Sequence, residues 1–522
     1  EAEMQNIVAE DQEFIRKEVT REEAKAFFTE QGQTYKIGRI EDIPEGDAIT
    51  FYENGEFTDL CAGTHVESTG KIGAFKLLSV AGAYHRGQVD QPMLQRIYGT
   101  AFSNKKELRL HLKKLEEAAK RDHRKLGTQL KLYRMDTNIG SGLPLLLPKG
   151  AVIRAELERM LTRKLEDYGY DQLFSPHIGS IDLYKTSGHY PYYSESMYEP
   201  INIEGREFLL KPMNCPMHIQ AYTNEPRSYR DLPQRYAEYG TVYRYEQSGE
   251  LSGMTRVRGF TQDDGHIFCT VDQLKDEFKG CLTLVQEVMA LFGLETRCRI
   301  SLRDPDNKKK YVGEDSLWEP AEACIQEVVD ELQLEHTVGL GEAAFYGPKL
   351  DFMALDALQR SWQLGTIQVD FSLPDRFELE YTGSDGKSHQ PVMIHRAVFG
   401  SIERFMGLLI EHFAGDFPLW LSPEQVRILP ITDEQIPLAD EIAAELKKRR
   451  FRVQVDDASD PLGAKIKRGR HAMTPVMAVI GQREAEANSV AVRSRKNGDE
   501  GVMTVEDFVD RLEKDRAEVE GA

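Results

Sequence analysis

The stretch from residue 236 to residue 268 most constrains the fold, because it predicts a β-hairpin that carries charged side chains on one face. Two runs rich in Tyr, Val, Thr and Phe flank a polar, glycine-containing loop over residues 247–256, which is typical of a hairpin with an enlarged loop. Arg244 and Glu246 share a face in the first run. Buried charge is costly unless it is paired or used. We therefore interpret the charged face of this hairpin as a candidate site; the alternative is a solvated outer face. Side chains alternate along a strand, so one face of the second run is predicted to carry Arg258, Phe260, Gln262, Asp264 and His266.

Length and composition limit the class of protein. The 522 residues predict three or four domains, and no apolar run approaches the ~18 residues that a membrane helix needs, so no membrane partner is expected. Six cysteines in so long a chain do not form a disulfide framework, which favours a reducing, cytoplasmic setting. The net charge of −20 by itself argues against a nucleic-acid partner, but phosphate contacts depend on local patches of Lys and Arg. The chain opens at Glu1 inside an amphipathic helical pattern, so we expect it to be the C-terminal part of a longer protein.

Four blocks carry a resemblance to a known family. The hairpin sequences RYE and RGFTQDDGHIF resemble the second signature block of class II aminoacyl-tRNA synthetases, and their QDD-x-H ending is similar to the threonyl enzymes in particular. Three further blocks agree, namely KPMNCPMH (211–218), WQLGTIQVDFSLP (362–374) and MIHRAVFGSIERF (393–405). The resemblance implies ATP-dependent attachment of L-threonine to tRNA(Thr) through a threonyl-adenylate. It also implies an α+β multidomain fold built on an antiparallel sheet with helices.

The same resemblance divides the chain into four segments. Residues 1–102 resemble the C-terminal part of an α+β editing domain, 103–121 a linker helix, 122–420 the catalytic domain, and 426–522 an α/β anticodon-binding domain. Residues 104–125 have a helical pattern with nine Lys or Arg against four Asp or Glu, which indicates a solvated linker or a connector close to tRNA. In the last segment, the basic clusters at residues 447–450 and 465–470 predict a positive surface for RNA.

The resemblance assigns a set of side chains to ATP, which would enter with Mg²⁺. A planar guanidinium can hold two phosphate oxygens, which fits Arg244 on the α-phosphate and Arg404 on the triphosphate as the candidate catalytic residues. Gln363 and Gln368 are five residues apart and would face opposite ways on a regular strand, so Gly365 predicts a bulge or a strand end. The full set for ATP is Arg244, Glu246, Arg256, Phe260, Gln363 and Arg404.

A metal site is implied by three residues that are distant in sequence. Cys215, His266 and His395 match no local zinc motif, and a buried cysteine with two ordinary histidines is the alternative. The resemblance implies that they bind one Zn²⁺ per subunit with coordination positions left open for threonine. Valine is nearly isosteric with threonine, and an apolar pocket separates such pairs only ~100-fold, so coordination by a hydroxyl group would supply the discrimination. The residues implied around the threonine are Met213, Asp264, Tyr346 and Gln368.

Cys61 and His65 form a Cys-x-x-x-His pair in the block TDLCAGTH. Such a pair is half a metal site, a thiol with a nearby base, or a buried thiol beside a polar loop. The resemblance makes it part of the site that hydrolyses seryl-tRNA, which the family completes with an earlier His-x-x-x-His pair. His65 is the first histidine in this sequence, and no two of the thirteen histidines are four residues apart. We therefore expect the editing of seryl-tRNA to be incomplete in this chain.

Further expectations concern partners and rival functions. Glu484 and Arg493 match positions at which the family contacts anticodon bases, although an arginine there is more often a surface charge. Residues 168–177, which include Pro176, resemble the block that builds a homodimer interface.

One rival function is that of another class II ligase such as the prolyl enzyme, and the three-residue metal set argues against it. The other is an accessory nucleic-acid-binding protein, which would be expected to lose the three arginines assigned to ATP.

Overall fold

The computed structural model of the chain describes residues 1–87, 91–307, 310–356 and 360–520. The chain divides into two compact units, Glu1–Ala119 and Lys120–Ala522. Within those described ranges, no helix combines the length and the apolar character that crossing a bilayer requires.

The first unit contains a three-stranded antiparallel sheet and a separate two-stranded hairpin. The helical pattern at its start is interrupted by a strand that pairs with the second strand of the unit, so tertiary pairing overrides the local pattern. Phe28, Ile40 and Phe51 are buried together in its core. Its elements are α1 (Ala2–Ala9), β1 (Phe14–Val19), α2 (Arg21–Glu30), α3 (Thr34–Asp42), β2 (Ile49–Asn54), β3 (Phe57–Leu60), β4 (Ala74–Tyr84), β5 (Met93–Phe102) and the first turns of α4 (Lys105–Arg121).

The second unit begins with the elements that surround one large sheet. Its helices there are α5 (His123–Gln129), α6 (Pro148–Asp167), α7 (Ile181–Thr186), α8 (His189–Tyr192), α9 (Cys215–Tyr222), α10 (Leu274–Leu291), α11 (Asp315–Glu331), α12 (Ser372–Arg376) and α13 (Ile402–His412). Its strands there are β6 (Tyr133–Arg134), β7 (Leu145–Leu146), β8 (Asp171–Gln172), β9 (Ile178–Ser180), β10 (Ile201–Ile203), β11 (Arg206–Leu210), β12 (Gln234–Tyr243), β13 (Gly259–Cys269), β14 (Glu295–Leu302), β15 (His336–Leu340), β16 (Lys349–Leu355), β17 (Ser361–Asp370), β18 (Tyr381–Thr382), β19 (Ser388–His389) and β20 (Val392–Ser401).

The large sheet has a core face and a site face. Its strand order is β15-β14-β16-β17-β20-β13-β12-β8, and it is antiparallel except at its edges, where β15 and β8 run parallel to their neighbours. Ile267, Ile394 and Val398 are buried in one core with apolar residues of α10 and α13. The alternate residues of the same strands point to the opposite face. This arrangement confirms the predicted antiparallel sheet with helices.

The C-terminal part forms the predicted α/β domain. Three parallel strands and two antiparallel ones make the sheet β22-β21-β23-β24-β25, and Val426, Ile442 and Phe508 lie in its core. Its elements are β21 (Val426–Pro430), α14 (Ile436–Lys448), β22 (Val453–Val455), α15 (Leu462–His471), β23 (Val476–Ile480), α16 (Gln482–Glu486), β24 (Ser489–Ser494), β25 (Gly498–Thr504) and α17 (Val505–Glu520).

The predicted hairpin is present as β12 and β13, with a longer loop than the sequence indicated. The loop covers residues 244–258 rather than 247–256. Arg258 therefore precedes the strand, and its guanidinium donates to the backbone carbonyls of Glu246 at 3.0 Å and Ser141 at 3.3 Å. It does not join the site face as predicted, because these two carbonyls hold it at the loop.

The helix predicted over residues 104–125 is broken near its end. Helix α4 ends at Arg121, and the Asp122 side chain accepts the Arg124 backbone N–H at 2.8 Å to begin α5. Aspartate is a favoured N-cap residue because it satisfies such an unpaired N–H.

The second basic cluster of the C-terminal domain is less exposed and less positive than predicted. Lys465 is buried, and its Nζ donates to the Pro430 carbonyl at 2.7 Å. Arg468 forms ion pairs with Asp456 and Asp460. The cluster therefore offers RNA fewer free cations than the sequence alone indicated.

One arginine links the C-terminal domain to α6, which belongs to the part of the chain built around the large sheet. The Arg452 guanidinium donates to the Glu156 carboxylate at 2.8 Å, the Ser422 carbonyl at 2.9 Å and the Trp420 carbonyl at 2.5 Å. The Arg452 and Glu156 side chains are only 20% and 18% exposed, so water competes weakly for these bonds.

Replacing Arg452 with alanine should lower the free energy of unfolding by about 2 to 4 kcal/mol, because three hydrogen bonds, one of them charged on both sides, are lost. Urea denaturation followed by intrinsic tryptophan fluorescence measures the change. Arg449→Ala is the matched control, since the Arg449 side chain is 40% exposed in its ion pairs and such pairs contribute under ~1 kcal/mol. Equal destabilisation by both substitutions would show that the hydrogen bonds of Arg452 stabilise the protein no more than an exposed ion pair does.

Candidate active site

The centre of the sheet places two histidines side by side. In the antiparallel register, His266 of β13 lies opposite His395 of β20, and His395 lies opposite Gln368 of β17. His266 is 1% exposed and His395 is 6% exposed. The Nε2 atom of His266 and the Nδ1 atom of His395 are 3.0 Å apart.

Cys215 joins the two histidines from outside the sheet. It begins α9, whose Ile219 and Tyr222 are buried against the sheet. The Cys215 Sγ atom and the ligating nitrogens of both histidines all lie within 4.8 Å of one another. The structure thus brings the three predicted metal ligands into one buried cluster.

The outer nitrogens of both rings have partners, which indicates where the ring protons lie. His395 Nε2 is 2.9 Å from the Asp370 carboxylate, so it donates and leaves Nδ1 with a lone pair. His266 Nδ1 is 2.9 Å from His218 Nδ1, and His218 Nε2 is 3.1 Å from the Glu238 carboxylate. The proton assignment that satisfies this chain puts one proton on His218 Nε2 and one on His266 Nδ1. Two lone pairs therefore face each other in the cluster.

Facing lone pairs repel unless a cation or a proton lies between them. Burial lowers the pKa of His266 well below its usual value, which disfavours a proton. Burial also raises the pKa of the Cys215 thiol, and a bound cation opposes that effect because it stabilises the thiolate. One sulfur and two imidazole nitrogens are donors that Zn²⁺ prefers. The cluster therefore fits a zinc ion.

A cavity of about 260 Å³ opens farther along the same strands. Thr366 and Ala397 line it, and they form the cross-strand pair two residues beyond Gln368 and His395. All six residues that the sequence analysis assigned to ATP line this cavity: Arg244, Glu246, Arg256, Phe260, Gln363 and Arg404.

Three arginines converge on the cavity. The Arg244 guanidinium lies 5.0 Å from the centre of the Phe260 ring, and its buried Nε finds no hydrogen-bond acceptor among the described residues. Arg404 donates from Nε to the Thr255 carbonyl at 3.0 Å. Burial, together with the nearby charges of Arg244 and Arg256, lowers the pKa of Arg404. Arg256 is also paired with Glu246 and Glu250. Arg244 and Arg404 are therefore the like charges that favour an anionic ligand in this partly dry cavity.

The side chains predicted to contact threonine lie at the metal-ligand cluster. The Tyr346 hydroxyl donates to the side-chain amide oxygen (Oε1) of Gln368 at 2.6 Å, and the Tyr346 ring centre is 4.9 Å from that of His395. Asp264 Oδ1 lies 3.7 Å from His266 Nε2. A carboxylate, a hydroxyl group and an amide therefore border the cluster.

The two residues before Cys215 connect the cluster to the cavity. Met213 Sδ lies 3.3 Å from a terminal nitrogen of Arg244. The Asn214 amide donates to Asp264 Oδ2 at 3.0 Å. One short segment thus contacts both the arginine of the cavity and the carboxylate of the cluster.

A bulge in β17 explains how both of its glutamines reach the site. The β16–β17 register pairs Met353 with Gln363 but Asp351 with Thr366, so one extra residue is accommodated between the two pairs. This confirms the irregularity predicted at Gly365. The extra residue returns Gln363 to the face that carries Gln368.

Three residues of the cluster were not assigned from the sequence. His218 and Asp370 hold the ligand rings, and His189 Nε2 lies 3.8 Å from Cys215 Sγ. Burial lowers the pKa of His189 to about 3, so the ring is neutral. His218 could have been found, because it follows Cys215 by three residues in one helix, whereas no sequence pattern marks the other two.

The predicted editing pair lies in the first unit. Cys61 follows β3 and is half-buried, and the exposed His65 ring stacks on Tyr52 with ring centres 4.0 Å apart. Across the ranges that the structure describes, neither residue belongs to a cluster of three metal-capable groups.

The predicted anticodon residues have local partners in the C-terminal domain. The Glu484 carboxylate accepts the Gly481 backbone N–H at 3.0 Å, which caps α16. Arg493 on β24 pairs with Asp499 at 3.1 Å. The two side chains therefore do not pair with each other in this structure.

Three family models match the chain. The tRNA synthetase class II core domain (G, H, P, S and T) matches residues 198–413, an anticodon binding domain matches 425–515, and the threonyl and alanyl tRNA synthetase second additional domain matches 49–98. The threonine–tRNA ligase of Deinococcus radiodurans is 53% identical over 494 residues, which cover 94% of this chain and 76% of that protein. The threonine–tRNA ligase of Thermus thermophilus is 52% identical over 98% of this chain and 79% of its own length.

Solved structures agree with these matches. The RNA binding domain of threonyl-tRNA synthetase from Cryptosporidium parvum is 37% identical, with a TM-score of 0.72 over 75% of this chain and 98% of that one. A prolyl-tRNA synthetase from the same organism is 16% identical, with a TM-score of 0.59 over 76% of this chain and 77% of that one, and shares the fold alone.

The antiparallel sheet, the arginine-lined cavity and the matched core model define a class II aminoacyl-tRNA synthetase. Within that class, the chain belongs to the threonine–tRNA ligase family. Its activity is the ATP-dependent attachment of threonine to tRNA, and the prolyl and accessory-protein alternatives are set aside.

Proposed function

We propose that Cys215, His266 and His395 bind one Zn²⁺ per subunit and thereby select threonine. One observation carries the proposal. His266 Nε2 and His395 Nδ1 lie 3.0 Å apart, and each directs a lone pair at the other. When bound, the ion would supply open coordination positions for the amino and hydroxyl groups of threonine. Asp370 and His218 hold the two rings in orientation, as outer partners of metal ligands commonly do.

The chain's own polar groups complete the threonine pocket. Asp264 has one oxygen bonded to Asn214, and its other oxygen holds the substrate ammonium group. Tyr346, Gln368 and Met213 complete the pocket. A valine side chain would leave these polar groups without a hydroxyl partner, and such loss discriminates more strongly than an apolar pocket can.

ATP occupies the arginine-lined cavity together with Mg²⁺, which class II synthetases generally use. Arg244 holds the α-phosphate, and Arg404 and Arg256 contact the rest of the triphosphate. The adenine stacks on Phe260 and donates to Glu246. Gln363 completes the pocket at the β17 bulge. The buried Nε of Arg244 supports its role, since an anion would supply the acceptor that it lacks among the described residues.

The reaction proceeds by positioning rather than by acid–base chemistry. A threonine carboxylate oxygen attacks the α-phosphorus, the bond to the bridging oxygen breaks, and pyrophosphate leaves. The arginines neutralise charge on the phosphate oxygens as it redistributes. A ribose hydroxyl at the end of the tRNA then attacks the adenylate carbonyl carbon, and AMP leaves.

The remaining proposals concern partners. Glu484 and Arg493 contact the anticodon of tRNA(Thr). The chain acts as a homodimer in the cytoplasm, where the related translation enzymes typically work. Phe174 follows the edge strand β8 and is 90% exposed, which supports an interface there, because a large aromatic beside a sheet edge favours association.

Cys215→Ser should lose zinc and threonine activation together, because a hydroxyl group lacks the charge and softness of a thiolate. Metal analysis of the purified protein and threonine-dependent pyrophosphate exchange measure the two effects. Cys324→Ser is the control, since Cys324 lies on α11 outside the cluster. Stoichiometric zinc and near-normal activation in Cys215→Ser would place the metal elsewhere.

His218→Ala should weaken zinc binding about 10- to 100-fold, because His266 loses the acceptor that keeps its proton on Nδ1. Competition with a chelating dye measures the affinity. His218→Asn, which can present an oxygen near the Nδ1 position, should recover part of the loss. His389→Ala, which removes an exposed ring, should have no effect. Unchanged affinity in His218→Ala would refute the proton assignment.

This 522-residue chain should hydrolyse seryl-tRNA poorly, since Cys61 and His65 lack the His-x-x-x-His partner. Serine differs from threonine by one methyl group, which is worth only about 1 to 3 kcal/mol of discrimination at the activation site, so seryl-tRNA should be made and released. Deacylation of purified seryl-tRNA is compared between this chain and a version extended at its N-terminus with a His-x-x-x-His segment. Brisk hydrolysis by the unextended chain would show that Cys61 and His65 suffice.

A further inference from the structure

His123 is a buried histidine outside the proposed contacts to zinc and ATP. It begins α5 and is 4% exposed. Its Nδ1 lies 2.6 Å from the carboxylate of Glu411 on α13, which also accepts the His123 backbone N–H at 3.0 Å. Its Nε2 lies 3.1 Å from the Met254 backbone nitrogen in the loop between β12 and β13. One ring therefore joins two helices and a loop.

These partners require a neutral ring with its proton on Nδ1. Although burial opposes ionisation of Glu411, hydrogen bonds from His123 lower the pKa of that carboxyl group, so the carboxylate accepts and Nδ1 donates. Nε2 then keeps the lone pair that accepts the Met254 N–H. The nearby Asp122 is paired with Arg124, and Glu411 is also paired with Arg360, so both carboxylates near His123 have a cationic partner.

Met254 lies in a tight turn over residues 252–256. The Ser252 N–H donates to the Arg256 carbonyl at 3.1 Å, and the Arg256 N–H donates to the Ser252 carbonyl at 3.3 Å. The Met254 side chain is completely buried. A Cβ on Gly253, whose φ is +48°, would come within 2.2 Å of His123 Nε2. The turn is therefore packed directly onto the imidazole.

The same turn contains one arginine of the nucleotide cavity and accepts a hydrogen bond from another. Arg256 ends the turn, and the Thr255 carbonyl accepts Arg404 Nε at 3.0 Å. We propose that His123 is a positioning residue for ATP: by accepting the Met254 N–H it fixes the turn, and through the turn it orients Arg256 and Arg404 toward the phosphates. This inference rests on the proposed ATP role of those two arginines.

His123→Ala should raise the KM for ATP about tenfold in pyrophosphate exchange, as expected for a lost buried hydrogen bond. The KM for threonine should stay unchanged, because the turn does not contact the threonine pocket in the proposed arrangement. His123→Gln can place an oxygen near the Nε2 position, and should keep most of the ATP affinity. His123→Asn can donate to Glu411 but cannot reach Met254, and should behave like His123→Ala.

Two controls separate positioning from folding. Tyr133→Phe removes a bond of 3.1 Å to the His123 carbonyl without touching the turn, and should leave the KM for ATP unchanged. Thermal unfolding is measured for every variant. A KM for ATP that follows the loss of stability, with glutamine no better than asparagine, would overturn the positioning role.

A third variant distinguishes this inference from the proposed function beneath it. Arg404→Ala should strongly impair the ATP dependence of pyrophosphate exchange. If Arg404→Ala leaves pyrophosphate exchange and its KM for ATP unchanged, the proposed role of the arginines fails, and the positioning role of His123 fails with it. If Arg404→Ala is impaired while His123→Ala has a normal KM for ATP, the positioning role alone is rejected.

Discussion

The cross-strand register of β13 and β20 is the constraint on which the candidate active site depends. It sets His266 opposite His395 and, one residue along, Ile267 opposite Ile394. The isoleucines fill the core beneath the helices, while the histidines face the site. A slip of one residue would exchange the two faces, so apolar burial also enforces the geometry of the cluster. The site therefore gains its rigidity from the same contacts that stabilise the sheet.

Irregular points in the sheet let further residues reach the site. The bulge near Gly365 brings both glutamines of β17 to one face. A second irregularity lies where β20 meets α13: the Asp263 carboxylate accepts the Val398 N–H at 2.6 Å and the Phe399 N–H at 3.0 Å. Those two N–H groups leave the regular ladder without becoming unpaired, and the chain can turn into the helix that carries Arg404.

The local placement of charged side chains says more about this protein than its net charge does. A chain with a net charge of −20 acts on tRNA, so the total charge alone was misleading. The buried Arg396 is balanced by Asp263, whereas Arg244 and Arg404 converge on a cavity. Arg244 and Arg404 are half-buried, and a cation held away from water without a balancing carboxylate is costly. Under the proposed function, an anionic substrate would offset that cost.

The sequence by itself determined the class of fold, the hairpin and the types of residue at the site, because those follow from periodicity and from signature blocks. It also indicated a bulge or a strand end at Gly365, since two glutamines on one strand had to share a face, and the structure shows the bulge. Only the tertiary structure decided which atoms meet. The proton chain through His218 and the contact of His123 with Met254 join residues that are 48 and 131 positions apart. No local pattern encodes such pairs, because they arise when separate helices and loops pack on one sheet.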